Sequence, residues 1–266
     1  MLPLFIRPDA DRQLLQQICA RHPQLVCHDL ADERDWRRAP TDGQTVLWLD
    51  ALGLGLRRRE AQHPGVVRVD FAQATWQHRL AGRAGAGELV ARACGVRQGR
   101  LPRVLDLTAG FGADAWILAS QGLRVDLYER SPWVALLLAD GLRRALASAD
   151  LQATAARMRL QEGDAHRLLA TLQPGDYDTL YLDPMFPGEG TKARSGKAMS
   201  LLQHLVGDDA DADALPAAAR RLGARVVVKR PRLAPCLGGV EPSHVLSGKS
   251  VRFDIYAATF KGEADA

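Results

Sequence analysis

From Val104 onward the chain alternates short apolar runs with longer helical stretches, and no other feature limits its fold so strongly. Residues 104–107 read as a strand, followed by a glycine-rich turn and a helix over 114–120. Strands over 124–129, 158–161, 179–182 and 225–229 follow, with helices over 132–147, 165–172 and within 198–206 and 212–222 between them. Strands over 244–246 and 252–257 close the pattern. Such alternation predicts an α/β fold, a doubly wound, seven-stranded, mostly parallel sheet with helices on both faces. Ligands of such sheets lie at the carboxyl ends of the strands, near the switch in strand order. The residues that end each strand therefore carry the functional information.

The first ~85 residues lack this pattern. A helix is expected over 9–21, with Leu14, Leu15 and Ile18 on one face, and strands over 45–49 and 66–71. A third strand over 52–58 is weakened by Gly53 and Gly55. Gly82, Gly85 and Gly87 read as a flexible link into a helix over 88–94. With 266 residues available, we divide the chain into a small α+β module over 1–85 and a larger domain over 86–266.

Composition narrows the function classes. No apolar run approaches the ~18–20 residues of a membrane span, and Met1 to Asp11 lacks a basic leader, so a cytoplasmic protein is expected. The four cysteines form no C-x-x-C pair and no histidine stands at finger-like spacing, so neither disulfide nor metal is expected. Net charge is +4 and the isoelectric point about 9.0, which permits nucleic-acid binding. Basic residues cluster at Arg57-Arg58-Arg59, Arg79/Arg83, Lys192/Arg194/Lys197 and Lys229-Arg230-x-Arg232.

Four constellations sit at strand ends. The first is Asp106-Leu107-Thr108-Ala109-Gly110-Phe111-Gly112-Ala113-Asp114-Ala115. Its glycines let backbone amides approach a ligand at a helix N-terminus. Gly110-x-Gly112-x-x-Ala115 fits a dinucleotide pattern, but the Asp106 carboxylate repels phosphates and suits a cationic amino-acid moiety. Glu129 ends the second strand, where a carboxylate can take both hydroxyls of a ribose, that of NAD or of S-adenosylmethionine equally. Gly163-Asp164-Ala165-His166 follows the third strand; Asp164 is either a helix cap or an acceptor for an adenine amine. After the fourth strand comes Tyr181-Leu182-Asp183-Pro184-Met185-Phe186-Pro187. Asp183 and the Pro184 carbonyl can accept two N–H bonds from a planar exocyclic amine, and Phe186 supplies a stacking face.

In this order, the constellations resemble the class I S-adenosylmethionine-dependent methyltransferases with a D/N-P-P-Y/F-type amine motif, which are Rossmann-like. The wording is closer still to the bacterial small-subunit ribosomal RNA guanine-N2 methyltransferase J family. The resemblance rests on the motifs above, on Glu129-Arg130-x-Pro132, on Val226-Val227-Val228-Lys229-Arg230-Pro231 and on Arg252-Phe253-Asp254-Ile255-Tyr256-Ala257, and it covers the chain from about Val66. It implies S-adenosylmethionine as methyl donor and 16S ribosomal RNA, or a small-subunit precursor, as partner. It implies a donor pocket of Ala113, Asp114, Glu129, Arg130, Asp164, Ala165 and Asp183, beside the turn residues Asp106, Gly110 and Gly112 already read as donor-binding. It assigns Asp183, Pro184 and Phe186 to catalysis. The basic residues Lys192, Arg194, Lys197, Lys229 and Arg230 would hold RNA phosphates.

Three rivals remain at this stage. Methylation of adenine N6 in RNA or DNA uses the same amine motif. An NAD-dependent oxidoreductase accounts for Gly110-x-Gly112 and Glu129 but has no need of Asp183-Pro184-x-Phe186. A non-catalytic RNA-binding protein has no reason to keep that motif.

Overall fold

The computed structural model describes residues 2–32, 36, 45–58, 65–73, 86–97, 100–184 and 212–259. Phe186, the basic loop with Lys192, Arg194 and Lys197, the helix expected within 198–206, and the link at Gly82 and Gly85 lie outside them.

Two sheets organise the chain. The N-terminal one is built from β1 (Leu4–Ile6), β2 (Cys27–Asp29), β3 (Thr45–Asp50) and β4 (Gly53–Arg58), in the order β2-β1-β3-β4. Helix α1 (Arg12–Arg21) links β1 to β2 and starts where the Asp11 side chain accepts the Gln13 and Leu14 amides. Both β1 and β2 escaped the sequence reading, because three residues are too few to establish a period. The expected strand over 66–71 is a correction. Only Val67 pairs, in a lone bridge to Leu56. Beyond it Arg68 turns to the Gly53 carbonyl, and the Val69 carbonyl accepts a side-chain N–H of Arg144 rather than a ladder bond. Gly55 permits this crossing, since a Cβ there would stand 2.4 Å from Val66 Cγ1.

The larger sheet begins after α2 (Ala86–Ala93). Its parallel strands are β5 (Val104–Asp106), β6 (Val125–Glu129), β7 (Met158–Glu162), β8 (Thr179–Leu182) and β9 (Arg225–Pro231). Strands β10 (His244–Ser247) and β11 (Val251–Tyr256) complete it, and β11 runs antiparallel to both its neighbours. The order is β10-β11-β9-β8-β5-β6-β7, a seven-stranded, mostly parallel sheet. The crossovers contain α3 (Ala113–Ser120), α4 (Pro132–Leu146), α5 (Gln152–Ala155), α6 (Ala165–Leu169) and α7 (Leu215–Arg220). Helix α7 is shorter than the sequence suggests, because Ala212–Ala214 forms a 3-10 turn ahead of it. From β5 the chain moves outward to β6 and β7, then returns to β8 on the other side. The switch in strand order therefore lies between β5 and β8.

The two sheets share one apolar core that includes Leu4, Leu49, Leu54, Val69, Leu118, Leu137 and Leu142. A buried carboxylate joins them. Asp140 of α4 accepts the Leu54 amide at 3.0 Å and is paired with Arg143 and Arg144. Val69 presses on Gly141, where a Cβ would stand 2.6 Å from Val69 Cγ1. Among the described residues no helix is long and apolar enough to cross a membrane.

Candidate active site

The crevice at the β5/β8 switch gathers the strand-end residues. Asp106 closes β5, is 3% exposed and accepts the Thr108 amide at 3.0 Å. Burial is the main influence that pushes its carboxyl up to about 8; the Thr108 amide opposes it, while Asp114, Asp183 and Glu129 add to it. The turn then needs left-handed backbone at Gly110 (φ +54°) and at Gly112 (φ +74°), the residue that caps α3. Glu129, at the end of β6, takes the Gly110 amide on one oxygen and the Ser131 amide on the other, each at 2.8 Å. Across the switch, the Asp183 amide donates to Thr108 Oγ1 at 2.6 Å, so the β5 turn anchors the start of the Asp183-Pro184 segment.

Behind Asp183 lies a polar chain that the motifs did not announce. Lys229 Nζ of β9 stands 2.8 Å from Asp183 Oδ2 and 2.7 Å from Asp114 Oδ2. Tyr181 donates its hydroxyl to the same Asp114 oxygen at 2.6 Å. Burial works against the lysine's charge, but Asp114 and Asp183 outweigh it and hold the ammonium well above the usual lysine range. Burial likewise raises the Tyr181 phenol, so it stays a donor. At Asp183 burial pushes the carboxyl up, and the Lys229 ammonium is the strongest influence drawing it back.

Most residues expected of the donor pocket fall along one edge of the sheet. Asp106, Gly110, Gly112, Ala113, Asp114, Glu129 and Asp183 surround the crevice. Asp164 caps α6, its carboxylate accepting the Arg167 amide at 3.0 Å, and Ala165 opens that helix. Arg130 is exposed beyond Glu129. Two expectations need correction. Lys229 and Arg230, expected to hold phosphates, point inward. The Lys229 ammonium sits between two carboxylates, and Arg230 is 3% exposed with its Nε on the Pro235 carbonyl. Thr108, Tyr181 and the bridging position of Lys229 went unread. A lysine ending a Val-Val-Val strand was the available signal, since a cation leaving a buried strand needs a partner.

The donor set fits a ligand that is cationic at one end and carries a vicinal diol. Asp106 offers a buried carboxyl to an ammonium, and Glu129 offers lone pairs to hydroxyls. Known proteins agree with that chemistry. Residues 31–258 match the family model of a SAM-dependent methyltransferase. A Stutzerimonas stutzeri protein named ribosomal RNA small subunit methyltransferase J is 49% identical over 216 residues, 81% of this chain and 84% of the relative. A protein of the same name from Pseudomonas aeruginosa is 43% identical over 244 residues, 88% of this chain and 94% of the relative. The crystal structure of a SAM-dependent methyltransferase from Neisseria gonorrhoeae superposes with a TM-score of 0.72 at 33% identity, covering 99% of this chain and 97% of that one. The chain belongs to the ribosomal RNA small subunit methyltransferase J family of SAM-dependent methyltransferases.

Proposed function

We propose that this protein transfers a methyl group to the exocyclic N2 amine of a guanosine in 16S ribosomal RNA, in the cytoplasm, on naked RNA or a small-subunit precursor. The observation that carries this reading is the position of Asp183-Pro184 at the β5/β8 switch, tied to the donor-side turn through Thr108. S-adenosylmethionine, when bound, supplies an electrophilic methyl on a sulfonium. Asp106 holds the ammonium end of that donor, Glu129 its ribose hydroxyls, and Asp164 with the Ala165 amide its adenine. Arg130 lies along the adenosine.

The guanine amine is a poor nucleophile because its lone pair is delocalised into the ring. Asp183 and the Pro184 carbonyl accept its two protons and localise that lone pair. Phe186 stacks on the base, which has to leave its own stack to reach the crevice. As the new N–C bond forms, the bond from the methyl to sulfur breaks and leaves a neutral thioether, and one amine proton would pass to the Asp183 carboxylate and on to solvent. Positioning and fixed charge supply the acceleration. Lys229 draws the Asp183 carboxyl toward its ionised form for that task, and Asp114, which also accepts the Tyr181 hydroxyl, keeps Lys229 in place. Lys192, Arg194 and Lys197 hold phosphates of the RNA.

Tritiated methyl transfer onto undermethylated ribosomal RNA, 30S particles and DNA, run in parallel with nucleoside mapping, tests the reading. Label in N2-methylguanosine of 16S RNA is expected. Label in N6-methyladenosine, or in DNA, overturns it. Asp183→Ala should abolish transfer with the fold intact.

A further inference from the structure

Leu233 is 94% exposed, the barest of the exposed large apolar side chains among the described residues, where the next is Leu52 at 69%. Single exposed leucines are common. This one is unusual because the backbone around it is fixed. The Ala234 amide donates to the Pro231 carbonyl at 3.1 Å, closing a tight turn with Leu233 near its tip. The Arg232 amide donates to the Ser250 carbonyl at 3.0 Å. One nitrogen of Arg252 donates to the carbonyls on both sides of Leu233, Arg232 at 2.9 Å and Ala234 at 2.6 Å. Arg230 Nε takes the next carbonyl, Pro235, at 3.0 Å. Arg252 is itself held on two nitrogens by Asp254, which is wholly buried. A largely buried ion pair thus immobilises a turn whose apolar side chain stands almost wholly exposed among the described residues.

Its place in the fold gives the turn a partner. Leu182 pairs with Val228, so Lys229 is level with Asp183 and the rest of β9 runs past the end of β8. Leu233 follows Lys229 by four residues, within about 14 Å of chain. It stands out from the carboxyl edge beside the crevice, next to the exposed cation Arg232. A rigid apolar tip flanked by a phosphate-seeking charge is what enters a base step as a wedge. We propose that Leu233 is that wedge: it fills the stack vacated when the target guanosine swings into the crevice, with Arg232 on the adjoining phosphate. This rests on the RNA-methylating reading above. It adds a residue that touches the RNA rather than the reacting amine.

The test compares wild type with Leu233→Ala and Leu233→Met on undermethylated small-subunit RNA, naked and in 30S particles. Affinity for S-adenosylmethionine is measured on each protein as a check on folding. Stacking is read separately from the fluorescence of 2-aminopurine placed beside the target base, which needs no methyl transfer. Leu233→Ala is expected to lose about tenfold in kcat on both RNA forms and to lose the fluorescence rise on binding. Donor affinity should stay unchanged, and Leu233→Met should stay near wild type. Wild-type rates for Leu233→Ala, or a loss matched by lost donor affinity, overturn the proposal. A loss confined to 30S particles also overturns it, assigning the turn to a protein contact. If wild type methylates no guanosine, the reaction assigned above falls, and the fluorescence change alone decides the wedge.

Discussion

Lys229 Nζ lies 2.8 Å from Asp183 Oδ2, so the carboxylate assigned to the acceptor amine is supplied with its own cation from the neighbouring strand. A cation this close lowers a carboxyl. Lys229→Met should therefore shift the acidic limb of the kcat profile upward. The lost activity would be partly regained as pH rises. Lys229→Arg should recover part of the loss because it restores the charge. Single-turnover rates across pH, with donor affinity measured alongside, check this. An unshifted limb would remove Lys229 from the proton path.

With Asp106 on the ammonium of the donor, as proposed, donor binding should be a proton-coupled event. In the ligand-free protein its carboxyl is raised from 3.8 to about 8, chiefly by burial, so at neutral pH it carries a proton. An ammonium ligand requires the ionised form. Binding at pH 7 should then release up to about one proton, and affinity should tighten up to about tenfold per pH unit before levelling near pH 8. Calorimetry in buffers of different ionisation enthalpy measures the proton directly. The sign for stability is the reverse. The folded value exceeds the unfolded one, so native Asp106 holds a proton that the unfolded chain has lost. Its contribution to stability falls between about pH 4 and pH 8.

Gly112→Ala should damage the turn twice. The backbone is left-handed there, which costs a side chain about 1–2 kcal/mol. The new Cβ would also stand 2.9 Å from Leu138 Cδ1, and that side chain would have to yield. A melting temperature lowered by several degrees, with weakened donor binding, is the expected result in thermal denaturation with and without S-adenosylmethionine.

Asp140→Ala should be among the most destabilising single changes. It leaves the Leu54 amide unpaired and two arginines without their buried partner, a loss of about 3–5 kcal/mol. Denaturant unfolding would show a lower midpoint with both sheets lost together. Separate transitions for the two sheets would contradict their shared core.

The larger sheet was legible because its central strands are apolar runs bounded by turns. The helix over 132–147 and the strand over 179–182 fall within a residue of α4 and β8. Strand-end acids were legible for the same reason, since a carboxylate that closes a buried strand stands out against Val and Leu. The N-terminal sheet was harder. Its three-residue strands carry no period, and Val69 is fixed by an arginine 75 residues away. Lys229 and Arg230 misled because a basic pair after a strand reads as surface charge. Their partners come from helix α3, from the residue after β8 and from the turn beyond β9, and side-chain direction at a sheet edge is set by those neighbours.

The close fit of Val69 on Gly141 bears on how the protein can be cut. Glycine at 141 leaves α4 bald where the N-terminal segment crosses it, and Leu142 and Leu137 are buried with that segment's leucines in one core. A fragment beginning at residue 86 would bare this groove to water and strip the Asp140 carboxylate of the Leu54 amide. Such a shortened chain should clump on expression instead of yielding a minimal catalytic unit. Anyone wishing to trim the enzyme should leave its first 73 residues in place.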